Sequence, residues 1–210
     1  MFHYPLVHWT TFLTAVFLLN IAPGPDMAFI LGQTASNGRR KGFAAMIGIW
    51  SGTFIHVILA ALGLSAILAA SAVAFSVVKW AGAIYLVWLG IKALRSRDSS
   101  FLSDKETQGA SARSVYFQGM AVSALNPKVA IFFLAFLPQF VVAGSGPVSA
   151  QLFLHGVLII VVASFIEPFI VLGGSWLTDR LRANERIGVW LDRSLGALLI
   201  GLGVRLAFSD

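Results

Sequence analysis

The amino-acid sequence predicts an all-α integral membrane protein with six transmembrane helices. These form a 3+3 inverted repeat in which helices 1 and 4 are broken. Three observations predict it. Apolar residues make up 58% of the 210-residue chain and charged residues only 11%, and the mean hydropathy is +0.84, leaving too little polar surface to cover a soluble domain. The apolar residues gather in runs near or above the roughly 20 that a bilayer requires. Two of those runs are interrupted by proline beside an ionisable residue, at Pro23-Gly24-Pro25-Asp26 and at Asn126-Pro127-Lys128.

The elements follow in order. Span one runs from about Val7 to Thr34 and holds one formal charge, Asp26. Met1 to Thr10 contain no Lys or Arg, so this run lacks the basic start of a cleaved signal and is expected to be retained. Span two covers about Phe43 to Leu68, with His56 near its middle, and Ala69 to Ala72 reads as a tight turn. Span three covers about Phe75 to Leu94. Ser96 to Ser114, rich in Ser, Asp and Lys, reads as a polar, mobile linker. Span four covers about Tyr116 to Val142 and ends at the turn cluster Ala143-Gly144-Ser145-Gly146-Pro147. Span five covers about Ser149 to Leu177, and span six about Ile187 to Phe208. The chain is thus one transmembrane domain over 1–210, with repeat A at about 1–95 and repeat B at about 115–210.

Charge placement orients these spans. Arg39, Arg40 and Lys41 follow span one; Lys92, Arg95, Arg97, Lys105 and Arg113 surround the linker; Arg180, Arg182, Arg186 and Arg193 follow span five. With six spans, these loops share one face and hold most of the 15 basic residues. The positive-inside rule then puts them in the cytoplasm and both termini outside. Trp9 and Trp80 fall near the outer boundary, and Tyr116, Trp176 and Trp190 near the inner one, as aromatic belts do. The expected setting is a bacterial inner membrane. The net charge of +6 is explained by topology, so no nucleic-acid partner is expected.

The halves resemble each other. Lys79-Trp80-Ala81-Gly82-Ala83 is similar to Arg193-Ser194-Leu195-Gly196-Ala197, and Leu89-Gly90-Ile91-Lys92 to Leu202-Gly203-Val204-Arg205. Pro23 and Pro127 hold matching places in spans one and four. Three spans per half make the repeat inverted, and paired broken helices in such a repeat mark a transporter's substrate site.

The breaks supply specific chemistry. Pro23 and Pro25 free the carbonyls of Leu19 and Ile21, and Pro127 frees that of Ser123. Freed carbonyls attract an ammonium, while N–H groups at the start of a half-helix attract a carboxylate. The predicted substrate-binding residues are Asn20, Pro23, Gly24, Pro25, Asp26, Asn126, Pro127 and Lys128. Lys128 and nearby N–H groups are assigned to a carboxylate, and Asp26 with the freed carbonyls to an ammonium. An amino acid is the simplest ligand of that pattern.

These residues also carry a resemblance to the LysE/RhtB amino-acid exporter family over essentially the whole chain. It rests on Ala22-Pro23-Gly24-Pro25-Asp26 with Gly32-Gln33, on Gly38-Arg39-Arg40-Lys41-Gly42, and on Lys79 to Leu86 with Trp88 to Lys92. Asn126-Pro127-Lys128 with Leu137-Pro138-Gln139-Phe140 completes it. The resemblance implies six helices and export of amino acids or close analogues in exchange for protons. It departs from the family pattern at Gly52-Thr53, where relatives often carry an acidic residue after the glycine, so no coupling group is carried over there. A homodimer is compatible with this reading, and no cofactor is called for.

Alternative roles stand beside these. Asp26 could stabilise the start of its half-helix as a first-turn carboxylate. Lys128 could be a fixed counter-ion for Asp26 or Glu167. Glu167, beside Pro168, is the leading candidate for a carboxyl that takes up and releases protons, with Asp26 and His56 as further candidates; it could instead sit in a structural ion pair. His56 could relay protons or bridge two helices by a hydrogen bond. Gln33 and Gln139 could line the cavity or satisfy broken backbone. Gly48, Gly52, Gly82 and Gly90 are expected to serve close helix packing.

Other classes fare worse. No Gly-Lys dipeptide occurs, so a Walker-type phosphate loop is absent. With no cysteine, and with His3, His8, His56 and His155 scattered along the chain, no metal site is expected. No nucleophile–base pattern marks an enzyme. A cation transporter of a related inverted-repeat fold is the alternative function.

Overall fold

The computed structural model describes residues 4–21, 24–66, 72–95 and 110–174, together with Trp176, Trp190, Arg193 and several positions between Gly196 and Phe208. Among the described residues every regular element is helical. Pro23, most of the linker and most of span six lie outside them.

Helix α1 covers Leu6–Ile21 and α2 covers Pro25–Asn37. Pro25 occupies the first turn of α2, where its missing N–H is no loss, and Gly24 is the N-cap. The axes of α1 and α2 differ by 47°. Gly38 ends α2 with φ of 82°, a left-handed conformation that glycine adopts without strain, and its N–H returns to the Thr34 carbonyl.

Helix α3 covers Arg39–Leu59 and continues through a π-helical turn at Ala60–Leu64. It therefore begins inside the basic stretch that the sequence reads as a loop. Lys41 shows why the stretch can join the helix: its ammonium donates 2.9 Å to Asn37 Oδ1 at the close of α2. Helix α4 covers Ala72–Arg95.

Helix α5 covers Ala112–Ala124 and is capped by the Ser111 hydroxyl, which accepts from the Ser114 N–H at 3.2 Å. Helix α6, Pro127–Ile131, repeats the device seen in α2, with proline in its first turn and Asn126 as N-cap. It runs on through a π turn at Phe132–Phe136 and a 3-10 turn at Leu137–Phe140. The segment Pro127–Phe140 is bent 45° from α5. Helix α7 covers Val148–Leu172 and contains Pro168.

Among the described residues two helices are long and apolar enough to cross a bilayer unbroken, Arg39–Leu64 and Val148–Leu172. The number rises to four if each bent pair counts as one span. Large apolar side chains face outward as a lipid-exposed protein requires: Phe165 and Phe169 are each 72% exposed.

Small residues let the helices approach. A Cβ added at Gly48 would strike the Tyr116 carbonyl, one at Gly52 the Met120 carbonyl, and one at Gly119 would lie 2.6 Å from the Ala45 carbonyl. These reciprocal contacts lock α3 against α5. Gly90 of α4 meets Gly196 in the same way. The surroundings of Gly82 lie outside the described residues.

Candidate functional site

The proline-headed starts of α2 and α6 meet. Asn126, at the start of α6, does two things at once. Its Oδ1 accepts the Lys128 backbone N–H at 3.0 Å, and its Nδ2 donates 2.7 Å to Asp26 Oδ1 in the first turn of α2. One amide therefore caps its own half-helix and holds the carboxylate of the other.

Lys128 reaches in the opposite direction. Its ammonium donates 3.3 Å to the carbonyl of Leu19, one of the groups that Pro23 leaves without a helical donor. A Cβ added at Gly24 would lie 3.3 Å from the same ammonium, so glycine leaves room for it beside the break. Lys128 also feels the charges of both Asp26 and Glu167. The sequence assigns the freed carbonyl to a substrate ammonium; the structure shows Lys128 on it.

The carbonyl that Pro127 frees, Ser123 O, is met by His56 Nε2 of α3 at 3.2 Å and by the Asn126 N–H at 3.0 Å. His56 stacks on Phe133 with ring centroids 5.8 Å apart. Thr53, one turn before His56, shares a 3.0 Å hydrogen bond between its hydroxyl and that of Ser123. Thr53 thus helps support the second break. Glu167 of α7 is buried and accepts 2.6 Å from Trp50 Nε1 of α3.

Asp26, Lys128, Thr53, Phe133, Trp50 and Glu167 of this group border one cavity of about 50 Å³. Asn20, Asp26, Thr53, Lys128 and Glu167 give it polar walls; Met27, Ile49, Phe133, Ile159 and Ile160 give it apolar ones. That volume holds a few waters, at roughly 10–15 Å³ each.

The sequence-predicted residues are thus distributed as follows. Asn20, Asp26, Lys128 and Glu167 line the cavity directly, while Asn126 stands behind Asp26. Asn20 also returns its amide to the Val16 carbonyl at 2.9 Å. Pro25 and Pro127 start the half-helices, Gly24 lies against Lys128, and His56 sits one layer away on Ser123 O. Gln139 is turned to the Ala135 carbonyl at 3.1 Å, and Gln33 accepts from Asn37 at 3.1 Å. Trp50 and the Ser123 hydroxyl are participants that the sequence does not reveal. Trp50 sits in an apolar run with no local cue, and Ser123 shows only as the residue four before Pro127.

Trp9 stacks on His155 with ring centroids 5.6 Å apart and joins the packed end of α1 and α7. The histidines, scattered in sequence, also converge in part: His8 and His155 approach to 2.8 Å. Among the described residues no group of three His, Cys, Asp or Glu could hold a metal.

A helical membrane protein whose proline-interrupted helices bring an acid, an amide and an amine to one internal cavity has the construction of a small-solute translocator. The chain belongs to the LysE type translocator family, whose model matches residues 17–210. It is 28% identical over 206 residues to a leucine efflux protein of Klebsiella pneumoniae, covering 96% of this chain and 95% of the relative. An uncharacterized membrane protein of Pseudomonas aeruginosa is 31% identical over 204 residues, with 95% and 94% covered. A homoserine/homoserine lactone efflux protein of Salmonella typhi is 29% identical over 211 residues, with 95% of each covered. No solved structure matches the chain.

Proposed function

We propose that the protein exports a neutral amino acid with an aliphatic side chain from the cytoplasm, in exchange for protons. The observation that carries this is the convergence of Asp26 and Lys128, from the starts of two separate half-helices, on one cavity, with Asn126 holding Asp26 from behind. Groups of both charge signs suit a zwitterion, and Ile49, Phe133, Ile159 and Ile160 suit an apolar side chain better than a charged one. Relatives named for efflux of leucine and of homoserine support the substrate class.

The proposed binding step is an exchange of partners. The substrate ammonium takes the Leu19 carbonyl and faces Asp26. Lys128, released from that carbonyl, turns to the substrate carboxylate. The interaction is made by groups already inside the protein, so no bare charge is exposed to lipid. Glu167, bonded to Trp50 and bordering the same cavity, is assigned to proton exchange, with Asp26 and His56 as the alternatives. Binding residues in this scheme are Asn20, Pro23, Gly24, Pro25, Asp26, Asn126, Pro127 and Lys128.

The wider frame is proposed with it. Repeat A at about 1–95 and repeat B at about 115–210 form one domain as a 3+3 inverted repeat, with helices 1 and 4 broken at the prolines. Rocking of the repeats presents the cavity to each side in turn. The chain sits in a bacterial inner membrane with both termini outside, and a homodimer is compatible with this arrangement.

The test is flux in proteoliposomes containing the full chain. Labelled leucine is expected to leave, faster with an inward proton gradient, and the movement is expected to be lost in Lys128→Met and Asp26→Ala. Movement of divalent cations without amino-acid flux would replace this reading with a cation transporter. Leucine flux unaffected by either substitution would show that the breaks are not the site.

A further inference from the structure

Away from the cavity, two imidazoles meet at the end of the bundle where α1 and α7 both begin. His8 Nε2 lies 2.8 Å from His155 Nε2, and His155 Nδ1 lies 2.8 Å from the Gln151 carbonyl. A carbonyl only accepts, so His155 carries its proton on Nδ1. Neutral His155 then offers a lone pair at Nε2, and His8 donates from its own Nε2. That leaves the lone pair of His8 Nδ1 as the place for one added proton, which keeps the N–H···N bond. A second proton must go to His155 Nε2. It sets N–H against N–H between two like charges, and the bond cannot persist.

Aromatic rings enclose the pair. Tyr4 stacks on His8 at 4.3 Å and 15°, and Trp9 on His155 at 5.6 Å and 14°, so each imidazole has an aromatic face over it. The edges of Phe12 and Phe140 close the cluster. Tyr4 also ties the end of α1 to α7 through a 3.0 Å bond to Gln151 Oε1, and Gln151 holds the turn before α7 at Val142 and Gly146. The segment Leu137–Phe140 contributes no ionisable group. Among the described residues Tyr4 is the other titratable group packed on the pair, and no carboxylate or basic side chain acts on either ring. The charge of this corner is therefore set by the two histidines.

The pair also stands over the cavity. Phe12, Phe136, Leu137 and Leu152 are buried in the same core cluster as Phe133 and Ile159, which line the cavity wall. An apolar plug, with the imidazole pair at its outer end, lies between the cavity and the face where α1 begins.

We propose that His8 and His155 form a proton-operated fastener that keeps the cavity shut toward that face, and that protonation of both rings releases α1 from α7. The inference rests on reading the cavity as a transport site, but its test needs no substrate. The chain has no cysteine, so Ala163→Cys places one thiol in the cavity lining. The full chain is reconstituted in phosphatidylethanolamine–phosphatidylglycerol vesicles. Labelling by a membrane-impermeant thiosulfonate is then measured from about pH 8 to about pH 5, a window spanning the ordinary histidine value of about 6.5. Rates are normalised to the exposed turn position in Ala143→Cys, which cancels thiol ionisation. If one extra proton controls opening, the normalised rate rises by up to roughly tenfold per pH unit as the pH falls. In His8→Phe, which keeps a ring on Tyr4, and in His8→Gln, the profile becomes flat. A flat profile with the pair intact, or the same rise in both variants, overturns the proposal. A rise that depends on His8 in a protein that moves no amino acid upholds the fastener and removes only the exporter reading.

Discussion

Replacing Asn126 separates the two roles its amide performs. In Asn126→Ala the N-cap of α6 is lost, worth about 0.5–2 kcal/mol. The bond to the Asp26 carboxylate goes with it, worth about 1.5–3 kcal/mol for a hydrogen bond to a charged group. The 2.7 Å length of that bond places it at the strong end. Asn126→Ala should therefore destabilise the protein by about 2–5 kcal/mol. Serine caps a helix about as well as asparagine but is too short to reach Asp26, so Asn126→Ser should cost only the bond, about 1.5–3 kcal/mol. In an Asp26→Ala background the serine substitution should cost almost nothing, since the partner is gone. Equilibrium unfolding in mixed micelles, followed by tryptophan fluorescence, measures all four. An alanine variant within about 0.5 kcal/mol of wild type, or a serine cost that persists without Asp26, would refute the idea that this amide joins the breaks.

Further outcomes follow from the same geometry. Gly52→Ala drives a methyl into the Met120 carbonyl and should cost about 1–3 kcal/mol in the same unfolding assay, whereas Gly32→Ala, with open space around it, should be neutral or stabilise by up to about 1 kcal/mol. Trp50→Phe removes the donor to Glu167 while keeping the ring, and should shift the pH profile of flux with little change in substrate affinity. Glu167→Gln should uncouple transport from the proton gradient, seen as leucine exchange that no longer responds to collapse of the gradient.

The starts of α2 and α6 are legible in the sequence because proline acts locally. Its missing donor and its clash with the preceding turn need no tertiary partner, so the starts of α2 and α6 could be placed from Pro25 and Pro127 alone. The freed carbonyls of Leu19 and Ser123 could be named by the same rule. What answers them could not. Lys128 and Leu19 are 109 residues apart, and His56 and Ser123 are 67 apart. Neither pairing leaves a periodic or spacing signal. Trp50 and Glu167, separated by 117 residues, are hidden in the same way. Trp9 falls near a span end in the sequence, and nothing local to it signals its stacking on His155.

Competition in counterflow tests the zwitterion site most directly. Labelled leucine exchanging across proteoliposomes is challenged with excess unlabelled leucine, with 4-methylpentanoate, which lacks the amine, and with 3-methylbutylamine, which lacks the acid. A site built from Asp26, the Leu19 carbonyl and Lys128 predicts strong competition by leucine and weak competition by either fragment. Should the amine or the acid alone compete as well as leucine, the meeting of the two half-helices is not where the solute's two charges are held.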